Sequence, residues 1–245
     1  MRVCLTVAYD GTNYHGWQFQ PNGITIESVL NQALSDLLGE TIVVTGASRT
    51  DSGVHSLGNV AVFDTNTKIP AEKISFAVNQ RLPEDIVVQE SKEVAPDFHP
   101  RKRDSRKTYE YRILNRKFQD PNRRCNTHFY HYDLDVEQMQ TAANHLIGEH
   151  DFKSFCSIHT NVDSTVRTIY SLDVKRREDE VVIRITGSGF LYNMVRIIAG
   201  TLILAGNGTI APDGVKDILE KKDRSFAGPT APAKGLTMIG IKFVI

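Results

Sequence analysis

The sequence predicts an α+β fold of two ferredoxin-like (RRM-like) halves with largely antiparallel sheets. Three observations lead there. Strand-like and helix-like segments alternate as β-α-β-β-α-β over the first hundred residues. A similar order returns, loosely, after residue 105, and a dense basic run lies between the two. A chain of 245 residues is long enough for one large domain or two smaller ones. Apolar residues at 40% and charged residues at 24% are ordinary for a globular protein. The expected halves are residues 1–105 and 106–245.

In the first half, "RVCLTVAYD" reads as a strand of apolar and β-branched residues ending at an Asp-Gly turn. "TIESVLNQALSDLLGE" sets Ile26, Val29, Leu30, Ala33, Leu37 and Leu38 at helical spacing. Thr25 and Ser28 are its candidate caps and Gly39 its stop. "TIVVTGAS" and "GNVAVFDT" read as strands, "AEKISFAVNQRL" as a helix and "DIVVQESKEV" as a strand.

The second half opens with the strand "KTYEYRILN" and the helix "DVEQMQTAANHLIG". The pair "VRTIYSLDVKRR" and "EVVIRITGSG" forms two strands around an acidic "EDE" turn. An apolar helix is expected over "FLYNMVRIIAGTLILAG", a shorter one over "APDGVKDILEKK", and a last strand over "LTMIGIKFVI". No residue-level repeat accompanies this similarity of order.

The formal net charge is zero, which by itself argues against a generic nucleic-acid binder. Its distribution argues differently. Residues 1–98 carry 6 Lys/Arg against 12 Asp/Glu, whereas residues 99–124 carry 10 against 3. That run leads straight into the alternating "TYEYRIL" pattern, which ties the charge to folded structure and suits a phosphate backbone. Arg101, Lys102, Arg103, Arg106 and Lys107 are the candidate phosphate contacts. The three cysteines are far apart and form no CxxC, so neither a disulfide framework nor a zinc site is expected. A reducing, cytoplasmic setting follows. No segment has the length of unbroken apolar sequence that a membrane span needs, and the opening "MRVCLTVAYDGT" reads as a strand rather than a signal peptide.

"GASRTDSGVHS", residues 46–56, carries three readings. Asp51-Ser52-Gly53 is a turn, because those residue types favour turns. Alternatively it is half of an aspartic-protease dyad, which requires two carboxylates sharing a proton. The chain holds no second Asp-Ser-Gly or Asp-Thr-Gly, so a dimer would have to supply it. The third reading is a lone catalytic carboxylate kept ionised by a nearby cation. An extended backbone there projects Arg49 and Asp51 to one side, and Gly53 permits a sharp turn.

"GASRTDSGVHSLGNVAVF" resembles the signature GRTDxGVHaxxQVxxF of the TruA family of tRNA pseudouridine synthases. "AYDGTNYHGWQFQP", "APDFHPRKRDSRKTYEYRI", "HDFKSF", "GFLYNMVRIIAGTLI" and "APAKGLTM" resemble further family segments, in order, across nearly the whole chain. Ser48 stands where the family has glycine and Asn59 where it has glutamine.

The resemblance implies a pseudouridine synthase fold with a central catalytic cleft. It implies isomerisation of uridine to pseudouridine at positions 38, 39 and 40 of the tRNA anticodon stem-loop, by a homodimer and without a metal or other cofactor. It assigns Asp51 as the catalytic carboxylate and Tyr109 as the aromatic beside the target base. Arg196 is expected to pair with Asp51, and an arginine inside an otherwise apolar helix independently calls for a buried anion. Arg49 matches the residue that displaces the target nucleotide, Leu236 a pocket-lining residue, and Arg101 the arginine of the FHaR segment. His55 belongs to the motif without an assigned chemical role. His128 and His131 have no metal-site pattern around them.

Overall fold

A computed structural model describes residues 1–157 and 162–244 of the chain. Two compact units emerge, Met1–Ser105 together with Met238–Ile245, and Arg106–Thr237. The sequence-based second half ran to residue 245. In the structure the chain from Met238 clusters with the first unit instead, because Ile241 and Phe243 pack there beside Val60, Val62 and Phe98.

The first unit follows the expected β-α-β-β-α-β order: β1 (Arg2–Tyr9), α1 (Ile26–Leu38), β2 (Thr45–Gly46), β3 (His55–Asp64), α2 (Ala71–Val78) and β4 (Ile86–Val94). β1 lies between β3 and β4, antiparallel to both. Arg2 faces Asp64 across the β1–β3 pair and forms an ion pair with it at 2.8 Å. α1 starts where the sequence places it. Thr25 caps Ser28 N–H while the Ser28 hydroxyl accepts from Thr25 N–H, so each residue satisfies an otherwise orphaned donor. The helix stops at Gly39. Leu5, Trp17, Leu30, Leu34, Ile74 and Ile86 fill the core on the helix-covered face.

The "TIVVTGAS" segment departs from its expected strand: only Thr45 and Gly46 pair, with Val62 and Ala61 of β3. Ile42 and Val44 are buried with Val43 exposed, as a strand would have it. Their N–H groups, however, donate to Ser35 Oγ at 2.9 Å and Asn31 Oδ1 at 2.8 Å on α1. The helix side chains take the place of a strand partner.

The second unit holds β5 (Ser105–Asn115), whose first residue belongs to the other unit, β6 (His128–Tyr130), α3 (Val136–Asn144), β7 (Gly148–Asp151), β8 (Val166–Arg177), β9 (Glu180–Gly187), α4 (Met194–Gly206) and α5 (Gly214–Lys221). β10 (Leu236–Phe243) begins in this unit and continues in the first. Ile245, the last residue of the expected strand, lies outside the described residues. β5, β9, β8 and β7 pair antiparallel in that order, and β6 joins β5 in parallel over three residues. β6 and β7 are too short to show a period, and neither was expected. α3 ends before "HLIG", which turns into β7. α4 begins at Met194 rather than at Phe190, because Asn193 sits in the left-handed region at φ 60° and breaks the helical path. From Met194 on, α4 is buried on nearly all sides.

Candidate active site

In the first unit, Ser48 and Thr50 are buried, Arg49 is exposed and Asp51 is half-buried. This alternation turns Arg49 and Asp51 to the same, accessible side, as an extended backbone requires. Gly53 then adopts φ 76°, and Val54 N–H closes the turn on Asp51 O at 3.1 Å. The motif is therefore both a turn and a presented carboxylate. Buried Asn59 donates to Ser48 O at 3.0 Å, anchoring the strand that enters the loop. Its position in the motif thus carries a backbone clamp.

Sequence reasoning did not find what holds this loop. The segment from Tyr9 to Trp17 grips it along its length. Tyr9 OH and Thr50 Oγ1 share a hydrogen bond of 2.8 Å, and Trp17 N–H donates to Thr50 O at 3.0 Å. Ser52 Oγ and Gly53 N–H both donate to Tyr14 O, at 3.1 and 3.3 Å. At Gly16, φ is 84°, and a Cβ would lie 2.6 Å from Thr50 O, so the two backbones meet only because this residue has no side chain. The available signal was the density of aromatics and glycines in "AYDGTNYHGW", which has no helical or strand period.

His55 is buried at the far end of the loop, and its Nδ1 accepts from Gly11 N–H at 3.1 Å. Asp10 Oδ1 is 3.0 Å from the same nitrogen. One nitrogen cannot accept and donate at once, so the Gly11 contact requires an Nδ1 without a proton and the Asp10 contact an Nδ1 that carries one. Burial pushes the Asp10 carboxyl up, but the Thr12 hydroxyl and N–H, with His55, outweigh it and hold it below its ordinary value.

Arg101 Nε donates to Gly46 O at 2.7 Å, so this arginine, exposed over much of its surface, also braces the strand that precedes the loop. Burial lowers its guanidinium, repulsion from Arg49 adds to that, and Glu27 opposes both. Arg49 and Arg101 are thus near enough to repel each other, an arrangement that favours an anion beside them.

In the second unit, Tyr109 is buried on β5 and meets Phe190 edge to face, with ring centroids 5.3 Å apart. Tyr111, two residues on and therefore on the same face, donates its hydroxyl to Pro232 O at 2.9 Å. Burial pushes the Tyr111 phenol up, while Arg196 opposes the shift. On α4, Arg196 donates from Nε to Ala231 O at 2.8 Å and from Nη1 to Asn193 Oδ1 at 2.8 Å. Ala231 N–H returns a bond to Arg196 O at 3.1 Å. Leu236 is buried at the start of β10, directly after Gly235, which lies flat against the Tyr111 ring. The 231–236 segment thereby joins Arg196, Tyr111 and Leu236 in one neighbourhood.

The basic run divides into two kinds of cation. Arg112 pairs with buried Glu110, and Arg116 and Arg123 pair with Asp179 of the acidic turn between β8 and β9. These arginines are occupied by carboxylates of their own unit. Lys102, Arg103 and Arg106 are exposed, Arg103 making a long surface contact with Asp97 and Arg106 lying over the Tyr170 ring. Burial lowers His128, and His131 packs against Tyr132 with ring centroids 3.8 Å apart. Among the described residues, no group of three or more His, Cys, Asp or Glu is placed to hold a metal ion.

The family model described as tRNA pseudouridine synthase matches residues 5–101 and 142–243. The chain is 52% identical over 239 residues to the tRNA pseudouridine synthase A of Thermoanaerobacter sp. (strain X514), covering 98% of both chains. It is 48% identical over 246 residues to the protein of the same name from Bacillus subtilis (strain 168), covering 99% of both. With the protein of that name from Ruminiclostridium cellulolyticum it shares 47% identity over 243 residues, again covering 99% of both.

Proposed function

The chain belongs to the tRNA pseudouridine synthase family, and on that premise we propose that it acts at uridines 38, 39 and 40 of the anticodon stem-loop with Asp51 as its catalytic carboxylate. The enzyme isomerises uridine to pseudouridine in tRNA. The C1′–N1 bond breaks, the uracil turns, and a C1′–C5 bond forms. The proton lost from C5 is balanced by the one gained at N1, so one carboxylate suffices and no redox partner enters. Asp51 serves by attacking C1′, by attacking C6 of the base, or by removing a sugar proton.

The observation that carries this reading is the presentation of Asp51. It is half-buried, on the same side as Arg49, on a loop whose two ends are tied to the Tyr9–Trp17 segment. Fixed geometry of this kind is what a nucleophile or base needs. In the same reading Arg49 and Arg101 bind substrate, Tyr109 stacks on the extruded uracil, and Arg196 and Leu236 complete the binding set. The protein works as a cytoplasmic homodimer with tRNA as its partner.

Incubating the purified protein with unmodified tRNA transcripts, then mapping pseudouridine by carbodiimide labelling and primer extension, tests the assignment. Product at 38, 39 and 40 is expected, and product confined to another arm of the tRNA would refute it. A second measurement concerns the exposed cations. Lys102→Ala with Arg103→Ala should raise the tRNA dissociation constant and flatten its dependence on salt by roughly 0.7–0.9 per lost phosphate contact. An unchanged slope would remove these two side chains from the RNA surface.

A further inference from the structure

We propose that Tyr9 is a positioning residue for the isomerisation, acting through its hydrogen bond to Thr50 to set the direction of the Asp51 carboxylate. The proposal rests on the reading of Asp51 as the catalytic group and adds a residue from a different strand, 42 positions away in sequence.

Tyr9 ends β1 where its pairing with β3 changes register between Val7 and Tyr9. The side chain is 5% exposed, and its ring is tilted against Trp17 with centroids 5.9 Å apart. The hydroxyl therefore has a fixed place, 2.8 Å from Thr50 Oγ1. Thr50 is 7% exposed and is held a second time, through its carbonyl, by Trp17 N–H at 3.0 Å. Side chain and carbonyl together define the plane of the peptide that joins Thr50 to Asp51. On the other side of Asp51, Ser52 Oγ and Gly53 N–H converge on Tyr14 O.

Asp51 is thus bracketed by one nine-residue segment. The bracket leaves its carboxylate the χ angles and little else to move with. Removing the Tyr9 hydroxyl leaves Thr50 Oγ1 buried without this partner and frees the Thr50 rotamer, which is upstream of the carboxylate by one peptide. Misplacing a reacting group by about 1 Å is enough to cost on the order of a hundredfold in rate. Affinity for tRNA, which phosphate contacts dominate, does not depend on that angle.

The test measures single-turnover rate, tRNA dissociation constant and thermal midpoint for Tyr9→Phe, Thr50→Val, Thr50→Ser and the Tyr9→Phe/Thr50→Val pair, with Asp51→Ala alongside. Tyr9→Phe and Thr50→Val should each slow the rate by roughly tenfold to a hundredfold at unchanged tRNA affinity. The pair should be no slower than the worse single variant, because both remove the same bond. Thr50→Ser, which keeps the hydroxyl, should retain the rate. Wild-type rates in Tyr9→Phe, or multiplicative losses in the pair, would overturn the assignment. So would a fall in thermal midpoint with the rate of the folded protein intact. Should Tyr9→Phe not fold, the Thr50 variants decide alone: loss with valine and retention with serine supports the proposal, and equal rates refute it. Turnover by Asp51→Ala would overturn the carboxylate reading and this proposal with it. An inactive Asp51→Ala beside fully active Tyr9→Phe overturns only the positioning role.

Discussion

Asp51→Asn should leave no detectable pseudouridine in a tRNA transcript under conditions where the unaltered enzyme completes a single turnover. The substitution keeps the size and shape of the side chain while removing its charge, so it separates chemistry from packing. An amide is neither a base nor a nucleophile at neutral pH, and losing a group of that kind costs on the order of 10⁴-fold or more. The folded state should be little affected. Asp51 is only half-buried, and the turn around it is closed by backbone: Val54 N–H to Asp51 O, and Gly53 N–H to Tyr14 O. Transcript binding should likewise persist, because phosphate contacts supply most of the affinity of such complexes. Carbodiimide mapping together with filter binding reads both quantities. Residual product at the normal rate would mean that the working carboxylate lies elsewhere.

Gly200→Ala should strike the second unit with comparable force. A Cβ built on Gly200, in the middle of α4, would stand 1.9 Å from the carbonyl oxygen of Pro229. That obstacle is backbone, not the end of a flexible side chain, so α4 and the 227–231 segment must part. The segment is fastened to α4 by Gly228 N–H on Thr201 Oγ1 at 2.9 Å, and by the exchange of bonds between Ala231 and Arg196. Overpacking of this kind costs about 1–3 kcal/mol. Arg196 also loses the carbonyl that aims its guanidinium. The expected result is a lower midpoint in chemical denaturation and a large loss of turnover in the protein that remains folded. Gly214→Ala is the control: a Cβ there meets nothing within 4 Å, and an unchanged midpoint is expected. Equal midpoints for the two variants would show that α4 yields at Gly200 without consequence.

Much of the fold was legible because its signals are local. Thr25, Ser28 and Gly39 mark the ends of α1 by capping chemistry, and its apolar spacing marks the face. The paired strands β8 and β9 were legible from alternation and the turn between them. What stayed hidden depends on contacts distant in sequence. Residues 41–44 alternate like a strand, but the N–H groups of Ile42 and Val44 go to Ser35 and Asn31, which no period along the segment reveals. The charge of the basic run does not show in sequence that two of its arginines, Arg116 and Arg123, are paired with Asp179, more than fifty residues on.

The candidate site divides in the same way. The shared side of Arg49 and Asp51 follows from strand geometry, and the turn at Gly53 from residue type. The proposed catalytic reading of Asp51 did not follow from Asp-Ser-Gly, which a plain turn explains equally well. It came from the several dispersed segments that resemble one family. The bracing of Gly46 by Arg101, and of Thr50 by Tyr9 and Trp17, required the folded chain.

Trp17 is the one tryptophan in the sequence. It is fully buried, and its backbone N–H donates to the carbonyl of Thr50, the residue immediately before Asp51. The protein therefore carries its one indole, selectively excited apart from the tyrosines, beside the Asp51 loop. Its emission is an optical readout of that loop's conformation, obtainable on the unlabelled enzyme in real time as RNA arrives.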